Sequence, residues 1–471
     1  MSTITSHQMI KRALTGQERR FLFPPTSHIS LVVRLRGSIS EMRLKSAVTK
    51  MLVTFPQFAV RMEEHDEGEY WITEEDSAEV PVKVFQRESE NDWMRVLNNE
   101  HKIPLRPTRG PLTRFILVKG TDVSELVVFC HHSISDGRSL EYALREVMLH
   151  LADPNRDSPV FPATPPLNPD IIPEEVTIGR IGSWMIGRIN RKWMKERILF
   201  DEEDLVNLWE AFWKNSEYCI ELLEFDEDET RRLIEISREN GVTLNSTILI
   251  SFVKSRIDAV GDYGRKINVA TAVDARTKLR VDCSDSVGFY AGGSFAPFEY
   301  NQDISLWENI QRYHKSVTKH LTDNKIFESG NSHFYLDQTL LDAILFEYLG
   351  NLVEPHQSRY TKIMEFLSRP KGIVTKFTNR MGSNFPDLIS TNLGVLGIPD
   401  GESELQVERV FFTPSSGLKM ELVLGVATAG NKLTITLNYY KGHIDGERIA
   451  KIRDKAEEIL RSLASKTSYI E

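Results

Sequence analysis

The segment His131-His132-Ser133-Ile134-Ser135-Asp136-Gly137 places two histidines, an aspartate and a glycine directly after the apolar run Leu126 to Cys130. Both sides of that run are apolar, Leu126, Val128 and Cys130 against Val127 and Phe129, which predicts a strand buried on both faces. A side chain at the end of such a strand has little rotational freedom left to lose. A histidine of near-ordinary basicity held there takes a proton from a hydroxyl or an amine at neutral pH. Gly137 lets the chain turn sharply, and Asp136 is placed to hold the loop or to pair with a distant arginine.

Blander readings compete. A lone histidine is most often a hydrogen-bonded core or surface residue. His132 and Asp136 stand four apart and share a face only on a helix, and Gly137 directly after a strand argues against one. No further His, Cys or Glu cluster completes a ligand set, so no metal is expected. A serine hydrolase would need G-x-S-x-G, and Gly292-Gly293-Ser294-Phe295-Ala296 lacks the last glycine.

The elements that position this segment are legible in outline. His28 to Leu35 reads as a strand. Ser40 caps a helix marked by Leu44, Ala47, Val48, Met51 and Leu52, which Thr54-Phe55-Pro56 stops. Strands follow at Arg114 to Val118 and Glu125 to His131, then a helix from about Ser139. Pro154, Pro159, Pro162, Pro165, Pro166, Pro169 and Pro173 forbid a helix over 153–175 and predict an extended crossing segment. Residues 178–200 are basic and interleaved with Trp184, Met185, Trp193 and Met194. They suit either a helix packed on the protein or a contact with a membrane surface or a carrier protein. The second half restarts with helices at about Asp228–Asn240 and from Thr243, and strands at Lys266–Val273, near Phe289, at Leu422–Val426 and at Leu433–Tyr439. The last two are joined by Ala429-Gly430-Asn431 and followed by a final amphipathic helix.

A chain of 471 residues is long for one core, so two domains or one bilobal unit is expected. The division is 1–165 as a lobe carrying the histidine segment, 166–200 as a Pro-rich then basic crossing segment, and 201–471 as a second lobe. A net charge of −9 excludes a basic nucleic-acid binder. Cys130, Cys219 and Cys283 form no metal or disulfide spacing, and Met1 to Arg20 lacks an apolar signal core. A cytoplasmic, monomeric protein is expected.

His131 to Gly137 resembles the H-H-x-x-x-D-G signature of the superfamily that holds chloramphenicol acetyltransferase, alcohol acyltransferases, nonribosomal peptide condensation domains and wax ester synthases. Gly110-Pro111-Leu112-Thr113-Arg114, the stretch Phe225 to Ser251, Asp274-Ala275-Arg276, Val287-Gly288-Phe289 and Thr391-Asn392-Leu393-Gly394 follow in family order. The opening residues 31–58 look like the stand-alone polyketide-associated branch, typified by phthiocerol dimycocerosyl transferase, and the alcohol acyltransferases. Thr391 to Gly394 is nearer the wax ester synthase form than the plant D-F-G-W-G. The resemblance implies an α/β fold of two lobes, each a mixed sheet with flanking helices, and an active-site tunnel at their interface. It implies acyl transfer from a thioester, acyl-coenzyme A or a carrier-bound phosphopantetheine, to an alcohol or amine, with no permanently bound cofactor and no acyl-enzyme. On it His132 is the base, Asp136 is structural and paired with Arg276, Gly137 shapes the loop and His131 packs. Asn392, Ser415 and Ser416 are the candidate oxyanion donors. The alternatives are a stand-alone condensation enzyme forming an amide with carrier-bound substrates, any carrier protein acting in trans, or a wax ester synthase-like O-acyltransferase.

Overall fold

A computed structural model describes residues 10–65, 68–73, 79–176, 178–322, 324–352, 361–369, 372–383, 386–399, 405–417 and 420–465. The chain forms two lobes, each built on a mixed sheet with flanking helices. The first sheet has five strands in the order Gln406–Thr413, His28–Arg36, Val123–His131, Thr113–Lys119, Val82–Gln86. The histidine-bearing strand Val123–His131 is its middle member. It is antiparallel to both neighbours, with His28 opposite His131 and Thr113 opposite Cys130. Every residue from Ser124 to His131 is buried, so the apolar alternation on both faces has its physical cause in two covering layers. One layer includes the packed helices Glu41–Thr54 and Gly137–Ala152.

The second sheet has six strands in the order Ala291–Glu299, Lys266–Asp274, Leu388–Val395, Leu422–Ala429, Lys432–Lys441, Glu217–Glu224. Its core is buried beneath the helices Glu227–Glu239, Leu244–Val260 and Gly446–Ser465. A third, small sheet joins Lys11–Ala13, Gly68–Ile72 and Arg61–His65.

Two expectations are corrected here. The division by chain order does not hold for Gln406–Thr413, which lies in the second half of the sequence yet pairs with His28–Arg36 in the first sheet. Its other side meets the second sheet, where Thr434 and Thr436 donate to the carbonyls of Val410 and Phe412. Gly425 is the close-approach point, because a Cβ there would stand 2.0 Å from the Phe412 carbonyl oxygen. The strand expected near Phe289 begins later, at Ala291, and Val287 to Phe289 is a loop. Thr391 to Gly394, part of which is the candidate oxyanion donor Asn392, lies at a bulged strand end, where the register with Leu422–Ala429 shifts between Asn392 and Val395.

Residues 153–173 are free of helix and strand, as the prolines dictate, and Arg180–Glu196 is a helix. Among the described residues no helix is long and apolar enough to cross a membrane.

Candidate active site

The strand ends at His131, and the loop that follows turns its two histidines into different environments. His131 is buried, and its Nδ1 accepts from the Ser133 backbone N–H at 3.3 Å and lies 2.7 Å from Ser133 Oγ. An accepting Nδ1 puts the ring proton on Nε2. Burial pushes this imidazole down to about 3, with His132 a lesser cause. Beneath it lies an aromatic nest: His28 stacks on Phe129 and meets His101 and His131 edge-on. His131 therefore packs in the wall behind the site.

His132 is only partly buried and faces a cavity of about 610 Å³ lined by both lobes. Its backbone N–H donates to the Ser27 carbonyl at 2.8 Å. Its Nδ1 lies 2.8 Å from the Ser135 carbonyl oxygen. A carbonyl only accepts, so Nδ1 carries the proton and the lone pair is on Nε2. Burial drives this ring down to about 4, opposed by the Ser135 carbonyl and aided by Arg20. The near-ordinary basicity expected from sequence is thus corrected: the imidazole is neutral throughout the physiological range. Phe21 and Phe289 flank it, with ring centroids 4.3 and 5.3 Å away.

Asp136 caps the helix Gly137–Ala152. Its Oδ1 accepts from Ser139 N at 2.9 Å, Ser139 Oγ at 2.8 Å and Arg276 Nη2 at 3.0 Å. Its Oδ2 accepts from Arg276 Nη1 at 3.0 Å and from Tyr290 N at 2.9 Å. Burial opposes ionisation of this carboxyl, but the paired guanidinium outweighs it and the pKa stays below the usual range. Arg276 follows the second-lobe strand Lys266–Asp274 and also donates to Asp274 Oδ1 and the Ser286 carbonyl, each at 3.0 Å. The pair ties one lobe to the other. Ser139 completes the knot: its Oγ accepts from Gly288 N at 3.1 Å and lies 3.0 Å from the Gly288 carbonyl oxygen, which competes with Asp136 for its one proton.

Gly137 has another role than a sharp turn. It is absent from the positive-φ residues and starts the helix. What it supplies is space: a Cβ there would stand 2.5 Å from Leu393 Cδ2 and 3.0 Å from Phe412 Cζ. Both contacts come from the second half of the chain, so glycine lets that half dock onto the histidine loop.

Of the three oxyanion candidates, Ser415 lines the cavity. Asn392 does not. Its Oδ1 accepts from Gly394 N at 2.7 Å and its Nδ2 approaches Asn245 Oδ1 at 3.4 Å, which is bulge-holding work. Ser416 is fully buried with its hydroxyl unpaired and is not on the cavity wall. Ser294 lies 3.0 Å from His320 Nδ1 but likewise is not on the wall, where Gly292 and Gly293 stand instead. Among the described residues no cluster of His, Cys, Asp or Glu could hold a metal ion. Sequence reasoning missed Ser139 and Tyr290 in the Asp136 knot, and Arg20 and Phe21 beside His132. Nothing in their spacing marks them, because the loops that meet there are remote in the chain.

Residues 22–152 match the family model of the condensation domain. No curated protein matches the sequence. Among solved structures, polyketide synthase associated protein 5 from Mycobacterium tuberculosis aligns over 96% of this chain and 98% of its own, at 16% identity and a TM-score of 0.62. The trichothecene 15-O-acetyltransferase TRI3 from Fusarium sporotrichioides aligns over 99% and 98%, at 13% identity and 0.64. The condensation domain of the Monacolin K polyketide synthase MokA aligns over 96% and 97%, at 13% identity and 0.58. At such identities the structures speak for the fold and the family model for residues 22–152. Residues 22–152 thus resemble a condensation domain, and the chain as a whole shares the two-lobed fold of these structures.

Proposed function

We propose that the protein transfers an acyl group from a thioester to an alcohol or amine, with His132 as the general base. One observation carries this reading: a neutral imidazole, its Nδ1 proton held by the Ser135 carbonyl, stands at a large cavity between two lobes. The condensation-domain match and the shared fold support acyl transfer in general. In the proposed reaction His132 Nε2 takes the proton of the acceptor O–H or N–H as that oxygen or nitrogen bonds to the thioester carbon. The carbonyl oxygen gains the negative charge and needs fixed donors, for which Ser415 is the cavity-side candidate. The C–S bond then breaks, the carbonyl reforms, and the histidinium returns its proton to the leaving thiolate. No acyl-enzyme forms.

Asp136 and Arg276 act in this reading by holding the loop and joining the lobes, not by touching substrate. The donor is acyl-coenzyme A or a carrier-bound phosphopantetheine thioester. The test is thiol release from acyl-coenzyme A donors of graded length, with alcohols and amines as acceptors. His132→Ala is expected to lower transfer at least about a hundredfold while the fold persists. Transfer near wild type in that variant would remove His132 as the base. Turnover with amines alone would favour the amide-forming alternative.

A further inference from the structure

The cavity beside His132 contains a second cation-bearing group that the proposed reaction does not use. Arg20 lines the cavity wall, and its guanidinium carbon stands 4.6 Å over the Phe21 ring and 5.1 Å from that of Phe289. These are the same two rings that flank His132. Its Nε is buried without a hydrogen-bond partner, and among the described residues no carboxylate pairs with it. Burial pulls its pKa down to about 10, with no charged neighbour opposing the effect. The preceding residue differs. Arg19 points elsewhere, bonds Asp342 at 2.9 and 2.8 Å and pairs with Glu69 at 2.6 Å, so those acids are already engaged.

A guanidinium set half-buried in a cavity wall, its Nε buried without a partner and no acid paired with it, is costly to maintain, and ring faces offset only part of that cost. A methionine or leucine would pack on Phe21 and Phe289 without any such penalty. The histidines on the same wall add no charge, since burial holds His132 and His333 neutral, each near 4. Ile326, Phe327 and Phe334 are among the apolar residues of the wall, which also carries the uncharged polar Gln17, Thr26 and Ser27. Asp136 on the same wall is already paired with Arg276, so among the described residues the cavity presents the unpaired charge of Arg20 within a mainly apolar enclosure, suited to one negative charge on an otherwise apolar molecule.

We propose that Arg20 binds a carboxylate carried by one of the two substrates, so that the enzyme selects a carboxylate-bearing acyl chain or acceptor over its neutral counterpart. A phosphate of coenzyme A or of a carrier arm does not fit the role. It sits a full pantetheine arm from the thioester carbon, whereas Arg20 shares the rings that touch the proposed base. This inference takes the cavity as the substrate site and so rests on the proposed function, but its test does not depend on turnover.

The test uses the full chain and two matched probes, 5-phenylpentanoate and 5-phenylpentanamide, with binding measured by titration calorimetry at pH 7.5. The wild type is expected to bind the acid about tenfold or more tightly than the amide. Arg20→Met is expected to bind the two alike, and so is Arg20→Gln, a polar substitute if methionine folds poorly. His132→Ala should keep the preference for the acid, since it removes proton transfer and leaves Arg20 in place. Loss of transfer and loss of anion preference are then separate results. Equal affinity of the wild type for both probes, binding of neither, or an unchanged preference in both Arg20 variants would overturn the proposal. Failure of both variants to fold would overturn it too, by making Arg20 a packing residue.

Discussion

Replacing Asp136 by alanine should cost the protein its lobe-to-lobe knot before it costs any chemistry. The carboxylate accepts from Arg276 Nη1 and Nη2, from Ser139 N and Oγ and from Tyr290 N. Both Arg276 and Asp136 are 4% exposed, so the lost partner leaves a buried guanidinium. Removing one member of a buried pair costs about 3–5 kcal/mol, and losing a helix cap about 1 kcal/mol. Asp274 still accepts from Arg276 at 3.0 Å, which offsets part of the loss. We therefore expect about 4 kcal/mol, a large share of the roughly 5–15 kcal/mol typical of a folded protein. Urea unfolding followed by circular dichroism measures it. The second variant is informative: adding Arg276→Met to Asp136→Ala removes the stranded charge and should recover part of the loss. The sign with pH follows from the lowered pKa of Asp136. Its stabilisation is present above the unfolded value of about 3.9 and is lost as pH falls through the lower folded value. If Asp136→Ala unfolds within about 1 kcal/mol of wild type, yet is slow at proton transfer, the positioning role is wrong and Asp136 acts in the chemistry.

Three further outcomes are expected. Because burial holds His132 near 4, kcat/KM should stay level from pH 8 to about 5 and fall only as pH approaches 4; an acid limb near 6.5 would mean that the ring is solvated. Gly137→Ala should destabilise by about 1–3 kcal/mol through overpacking against Leu393 and Phe412, and Leu393→Ala should relieve part of it; an unchanged melting temperature would contradict the contact. The helix Arg180–Glu196 exposes Ile181, Trp184, Met185 and Met194 beside Arg180, Arg188, Arg191, Lys192 and Lys195. Co-sedimentation with phosphatidylserine vesicles, weakened by salt, is expected from that face, and a protein that stays in the supernatant at low salt would rule the contact out.

Local signals carried the elements that depend on local physics. The apolar alternation of Leu126 to Cys130 marks a central strand, Ser40 and Thr243 cap helices as their residue types suggest, and Gly430-Asn431 forms a hairpin with both residues at positive φ. The strand Gln406–Thr413 was not legible, because its partner His28–Arg36 is chosen by packing between lobes rather than by anything within the segment. The loop Val287 to Phe289 was misread as strand for a related reason. The backbone N–H of Gly288 serves Ser139 and that of the next-but-one residue, Tyr290, serves Asp136, instead of a neighbouring strand.

The order His131 to Gly137 by itself pointed to the two-lobed fold and to the chemistry proposed here, since a histidine after a buried strand and a capping aspartate are local arrangements. Tertiary structure decided what each member does. The two adjacent imidazoles take opposite tautomers because different groups meet their Nδ1 atoms, Ser133 N for one and the Ser135 carbonyl for the other. Gly137 is needed for Leu393 and Phe412, not for its own backbone. The unpaired charge of Arg20 exists only because folding sets it in the cavity wall beside the rings that flank His132, with no carboxylate paired to it among the described residues. Desolvation and partner choice are properties of the assembled interior, and one-dimensional spacing does not encode them.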